Sequence, residues 1–105
     1  MARPLVSDAA SDPRLLRLAE GDNVLIVTAL IAAGEPFLVG GEVVRSPTPL
    51  PLGFKVAAHD LPEGTVAIRY SMPIGRTTIA VARGELVHTH NLESLYMRTH
   101  ARGEA

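Results

Sequence analysis

Apolar positions in this chain fall in short runs rather than at helical spacing. Val24-Leu25-Ile26-Val27 is a β-branched-rich run of strand length. Val56-Ala57, Val66 to Tyr70 and Thr77 to Val81 read as further strands. Three segments share one pattern: Leu30 to Glu35, Leu61 to Val66 and Val81 to Val87. In each, an apolar residue is followed by two variable residues, a Gly and a polar residue. Each reads as a short reversal with Gly at a position needing positive φ, leading into a strand. The glycines of the three segments lie 30 and then 20 residues apart. Such unequal spacing argues for one folded β domain that reuses a turn, not for a solenoid. Pro47, Pro49 and Pro51 exclude a helix interior or a central strand and mark an extended connection. Met72-Pro73-Ile74-Gly75-Arg76 reads as a turn. Many short strands with Gly and Pro punctuation predict an all-β fold of barrel or clip type.

The two ends are less patterned. Residues 1–12 mix Ala, Ser, Asp and Pro and read as a flexible N-terminal tail. Asp12-Pro13 is placed to cap a short helix over Arg14 to Glu20; a strand from Leu15 to Leu18 is the competing reading. Gly21-Asp22-Asn23 is a turn in either case. Leu92, Leu95, Tyr96 and Met97 fit one or two helical turns. The expected organisation is thus a tail over 1–12, a β domain over 13–92 and a C-terminal tail with a short helix over 93–105.

With 105 residues there is room for one domain and not two. Ten Lys and Arg against eleven Asp and Glu give a net charge of -1, which offers no footprint for nucleic acid or an anionic membrane. Absence of cysteine excludes disulfides, thiolate metal sites and Cys nucleophiles. The longest apolar stretch, Val24 to Ala33, is far short of the roughly 20 residues of a membrane span. With no secretory pattern at the start, a cytoplasmic location is expected. Edge strands in a small, weakly charged domain also favour self-association.

The clearest chemical cluster is His88-Thr89-His90-Asn91, directly after Leu86-Val87. If the strand continued, His88 and His90 would project side by side. Two imidazoles so placed can bind a divalent metal or divide proton transfer and charge stabilisation between them. The competing reading is a pair of surface histidines at a strand end. Arg76, beside Gly75, suits a bidentate grip on a carboxylate, and Lys55, after Gly53-Phe54, could serve similarly. Both also read simply as solvated cations. Asp60 reads as the acceptor of an Asx-type turn, His59 and His100 as surface residues, and Tyr70 as a packing residue.

In order along the chain, Asp22-Asn23-Val24, Leu30 to Glu35, Gly53-Phe54-Lys55-Val56-Ala57, Asp60-Leu61-Pro62-Glu63-Gly64, Arg69-Tyr70, Pro73-Ile74-Gly75-Arg76-Thr77 and Gly84 to Asn91 resemble the SAF domain of the altronate/galactarate dehydratase family. The likeness spans about residues 15 to 92. It implies a β-clip fold and work on sugar acids or related 2-hydroxy acids. It implies a small subunit that acts with a large catalytic subunit, of altronate/galactarate dehydratase or sulfolactate sulfo-lyase type. The implied reaction is removal of the proton α to a carboxylate and loss of water or sulfite from the β carbon. A divalent metal, iron by family habit, is implied as a cofactor shared with the large subunit. The resemblance points to His88 and His90 as catalytic and metal-binding residues, and to Asn91, Arg76 and Lys55 as substrate-binding residues.

Two positions depart from the family pattern. Phe54 stands where Gly-His-Lys is usual, and Ser71 stands where Gly follows the Tyr. Phe54 cannot replace an imidazole, and Ser tolerates positive φ less well than Gly. The alternative function is therefore a non-catalytic β-clip module that recognises a sugar acid or a partner protein.

Overall fold

The computed structural model describes residues 11–95. Its elements are nine short strands: β1 (Leu15–Leu16), β2 (Val24–Val27), β3 (Phe37–Val39), β4 (Glu42–Val44), β5 (Lys55–Ala57), β6 (Val66–Arg69), β7 (Met72–Thr77), β8 (Leu86–Val87) and β9 (Leu92–Glu93). They form an antiparallel sheet ordered β1-β2-β5-β8, the hairpin β3-β4, and a sheet ordered β6-β7-β9. The all-β expectation holds, and the arrangement is consistent with a β-clip.

The continuous apolar run of β2 has a direct cause: its sheet is covered on both faces. Leu25 and Val27 pack with Val56 into one core, together with Ile31, Phe37, Val39 and Leu50. Val24, one residue out of phase, packs with Ala57 and Val87 into a second core with Leu61, Ala67 and Val81. Successive residues of a strand face opposite sides, so β2, β5 and β8 serve both cores at once.

Each core is closed by a pair of glycine turns. The turn pattern seen three times in the sequence occurs a fourth time, at Leu50-Pro51-Leu52-Gly53. Gly34, Gly53, Gly64 and Gly84 have φ of 78°, 93°, 86° and 81°. The buried residues that lead these turns bridge in pairs, Ile31 with Leu50 and Leu61 with Val81. The exchange of backbone bonds is reciprocal. Gly34 N–H donates to Ser46 C=O (2.8 Å) and Gly53 N–H to Val27 C=O (2.7 Å); Gly64 N–H donates to Thr77 C=O (2.9 Å) and Gly84 N–H to Ala57 C=O (2.8 Å). Every acceptor lies four residues before the apolar leader of the partner turn. The chain is therefore a structural duplication. Ile31 and Leu61 are 30 residues apart, and Leu50 and Val81 are 31 apart. The extra residue is a β-bulge in β7, where Ala67 faces Gly75 and the next residue, Ile68, faces Pro73.

Both hairpins turn through two residues at positive φ, the geometry of the type I′ turn. The first uses Gly40-Gly41 and the second Tyr70-Ser71, at φ 54° and 64°. An L residue in this region costs about 1–2 kcal/mol. Asp22, 3% exposed, offsets that cost: its carboxylate accepts N–H bonds from Tyr70 (2.7 Å), Ser71 (2.9 Å) and Ala19 (3.0 Å). Burial pushes this carboxyl up, and the N–H groups of Ser71, Tyr70, Ala19 and Leu18 outweigh burial and hold it below the usual carboxylate range.

Several sequence expectations are corrected. Met72 to Arg76 is strand β7, and the reversal lies at Tyr70-Ser71, because Asp22 supplies what glycine would otherwise provide. Tyr70 does not pack; it is 67% exposed at the hairpin tip. Arg14 to Glu20 is not helical: Asp12 Oδ1 accepts the Arg14 N–H (2.8 Å), and the chain enters the two-residue β1. Ser11 and Asp12 are tied to the first hairpin, by Gly40 N–H to Ser11 Oγ and Asp12 N–H to Leu38 C=O, both 2.8 Å. Leu92 belongs to β9 rather than to a helix, because Thr77 of β7 pairs with it. Tyr96, Met97, His100 and the first ten residues lie outside the described residues. Asp60 accepts the Arg83 N–H (2.9 Å) across the fold instead of closing its own turn.

Two stability predictions follow from this frame. Gly34→Ala places its Cβ in open space and costs about 1–2 kcal/mol for positive φ alone. Gly84→Ala has that cost and also brings its Cβ to 2.8 Å from Val44 Cγ2, so about 3 kcal/mol is expected by urea unfolding. Equal losses would show that Val44 moves freely. Asp22→Asn lowers the melting temperature by several degrees at neutral pH. A depressed carboxyl stabilises the fold above its unfolded pKa and loses that effect as pH falls through its lower folded value. The gap between wild type and variant should therefore narrow below about pH 4; a constant gap down to pH 2 would be incompatible with the assigned role.

Candidate functional site

Strand β8 ends at Val87, and His88 to Asn91 form a turn rather than a continuation of the strand. Asn91 builds this turn. It is fully buried, its Oδ1 accepts the His88 N–H (2.9 Å), and its Nδ2 donates to Leu86 C=O (2.8 Å). Its backbone N–H closes the turn on His88 C=O (3.1 Å), and its own C=O accepts the Thr78 N–H (3.0 Å). Both ends of the carboxamide are thus committed locally. Asn91, expected at the substrate, is instead the clamp that presents the two histidines.

His88 and His90 are both exposed. Their nearness comes from the turn and not from strand alternation. His88 lies flat against Phe54, with ring centroids 5.4 Å apart and planes at 14°. The pairing of Lys55 with Val87 accounts for this contact, since it places Phe54 and His88 next to each other across β5 and β8. The departure from the family motif therefore sits on the candidate imidazole itself. Stacking covers one ring face and leaves the nitrogens, which lie in the ring plane, at open edges.

No group of three or more His, Asp or Glu side chains that could hold a metal occurs among the described residues. The two imidazoles are an incomplete donor set, suited to a first-row divalent ion only with ligands from elsewhere.

Lys55 is half-buried opposite Val87. Burial, and then the positive charge of Arg69, hold its ammonium below the usual lysine range. Arg76 is not at a loop tip. It lies within β7, facing Val66 and Glu93, and its Nη1 donates to Gly64 C=O (3.2 Å). In the first half of the duplication, Arg45 donates in the same way to Gly34 C=O (2.8 Å). Arg76 thus repeats a turn brace, and nothing brings it to the histidine turn. Two surface hollows, of about 380 and 360 Å³, are lined around Leu15 to Leu25 and around Asp60 to Glu85 and include none of the five candidates.

Sequence reasoning missed Asp22 as the anchor of the second hairpin, and it treated Arg69 only as part of a motif. The signal for Asp22 was present in Ser71: a non-glycine at a turn position favouring glycine needs an external hydrogen-bond partner. Among the described residues no helix is long and apolar enough to cross a membrane.

Comparison with known proteins matches residues 13–95 to the altronate/galactarate dehydratase SAF domain. Over 45 residues the chain is 42% identical to the (2R)-sulfolactate sulfo-lyase subunit alpha of Chromohalobacter salexigens, covering 43% of this chain and 48% of that subunit. It is 34% identical over 70 residues to the altronate dehydratase of Escherichia coli, covering 67% of this chain and 14% of that enzyme. The altronate dehydratase of Bacillus subtilis is 27% identical over 79 residues, covering 75% of this chain and 16% of the enzyme. The match thus spans about half of the first relative and a small part of the other two. Fold, ordered motifs and the match over residues 13–95 agree that the chain belongs to the altronate/galactarate dehydratase SAF domain family.

Proposed function

We propose that this chain is the small subunit of a hydroxy-acid or sugar-acid lyase and acts together with a larger catalytic subunit. The observation that carries this reading is the His88–Asn91 turn. A fully buried Asn91 holds two exposed imidazoles whose rings have no hydrogen-bond partner among the described residues. Such a turn is rigidly built yet chemically incomplete, as half of a composite site would be. The names of the relatives support the reaction class: one is a sulfo-lyase subunit and two are dehydratases.

In the proposed reaction the C–H bond α to the substrate's carboxylate breaks and a ring nitrogen of His88 or His90 takes the proton. The electron pair forms the new C=C bond, and the β carbon loses hydroxide, released as water, or sulfite. The stack on Phe54 restrains the His88 ring so that its edge, and not its face, meets the substrate. A divalent ion such as iron would be held by His88 and His90 with further donors from the large subunit. When bound, it would stabilise negative charge developing on substrate oxygen.

The chain alone should show no elimination of altronate, galactarate or (2R)-sulfolactate. With a large subunit and added iron, turnover should appear. His88→Ala and His90→Ala should each lower kcat by about 100-fold or more without changing the melting temperature. Asn91→Ala should lose activity and also about 2–3 kcal/mol of stability, because the His88 N–H and Leu86 C=O lose their partners. Full turnover in both histidine variants refutes the assignment. Ligand binding without elimination in every subunit mixture would favour the non-catalytic module.

A further inference from the structure

The duplication allows the two cores to be compared position by position. Val27, Ile31, Phe37, Leu50 and Val56 of the first core correspond to Ala57, Leu61, Ala67, Val81 and Val87 of the second, and all ten are buried. Val44 faces Phe37 as Gly75 faces Ala67, so Ile74, which also flanks the second core, is the bulge residue without a counterpart. Three members of the first core have no apolar counterpart: Ala58, which corresponds to the exposed Thr89, and two that are replaced by cations. Leu25, 4% exposed, corresponds to Lys55, and Val39, 0% exposed, corresponds to Arg69. The correspondence respects the pleat. Lys55 shares a strand face with Ala57 and Arg69 shares one with Ala67, each one step beyond a fully buried member of the second core.

The substitution at Lys55 is unfavourable to the isolated fold, whereas Arg69 stands exposed to solvent at its equivalent place. A half-buried ammonium without a counter-ion is costly, and a guanidinium close enough to be felt makes it more so. Among the described residues neither Lys55 nor Arg69 has a hydrogen bond or ion pair from its side chain. The cations elsewhere on the fold are handled differently: Arg14 pairs with Asp12 and Glu35, Arg83 with Glu42, and Arg45 and Arg76 brace turn carbonyls.

We infer that Lys55 and Arg69 form an anion subsite at the corner of the second core, which takes one acid group, carboxylate or sulfonate, of a small hydroxy-acid substrate. A compact ammonium and a forked guanidinium, both unpaired and in the places of two residues that share the first core, suit an acid group. The subsite rests on the lyase reading for its ligand and replaces Arg76 with Arg69 as the partner of Lys55.

The test is calorimetric titration of the full chain, without any large subunit, using (2R)-sulfolactate and galactarate, with glycerol as the uncharged control. Binding of the acids and not of glycerol is expected. Lys55→Gln and Arg69→Gln should each weaken it about tenfold or more, whereas Arg45→Gln, a turn brace of the first half, should change it less than twofold. A double variant, Lys55→Leu with Arg69→Val, copies the closed corner of the first core; it should remain folded, melt higher and lose acid binding. Unchanged acid affinity in the double variant, or no acid binding by the wild type, overturns the subsite. If both variants instead bind the acids normally but fail to assemble with the large subunit, the cations serve a protein carboxylate and the inference is wrong. Acid binding that depends on both cations, with no elimination in any subunit mixture, would keep the subsite and refute the lyase reading.

Discussion

The structure depends on the reciprocal exchange of backbone bonds between paired glycine turns. Its strands are two to six residues long, too short for ladders alone to hold three sheets in place. What fixes them is that each turn's glycine N–H is satisfied by a carbonyl four residues ahead of the partner turn's leader, with the buried apolar leaders bridged in pairs. Backbone N–H and C=O groups are strong hydrogen-bonding groups, so this reciprocal exchange sets which segments approach one another. Once the four turns are locked in two pairs, the hairpins project from them and the shared strands β2, β5 and β8 are left with a core on each face.

Duplication then separates stability from chemistry. The first half closes its core completely, with Leu25, Val39 and a Gly40-Gly41 reversal that needs little help. The second half carries a half-buried Lys55 and an exposed Arg69, both unpaired, in the places of Leu25 and Val39, and a Tyr70-Ser71 reversal that relies on Asp22. A bulge in β7 and an added strand, β9, also distinguish it. The histidine turn connects β8 to β9 and so belongs to this more specialised half. Natural folds commonly concentrate such local conflicts at functional positions.

The fold class, the glycine turns and the ordered family motifs were legible in the sequence because they rest on local backbone rules. The fourth turn escaped notice because Gly53 is followed by Phe54, whereas the others are followed by Glu or Thr. The second hairpin was misplaced because its turn residues are held by Asp22, 48 and 49 residues away. For the site, the histidines could be named from sequence, but the function of Asn91 could not. A buried carboxamide that closes a turn and one that grips a ligand have the same local sequence. Arg76 was misjudged for a related reason, since its equivalence to Arg45 becomes visible only when the two halves are superposed through their turns.

The Phe54–His88 stack has a spectroscopic consequence. Protons of an imidazole stacked on a phenyl ring, with centroids 5.4 Å apart, feel the field of its circulating electrons. Their resonances should therefore stand apart from those of His90, which has no such neighbour among the described residues. Any ligand or partner that turns the His88 ring away would remove that displacement, so the Phe54 phenyl ring gives this site its own internal probe.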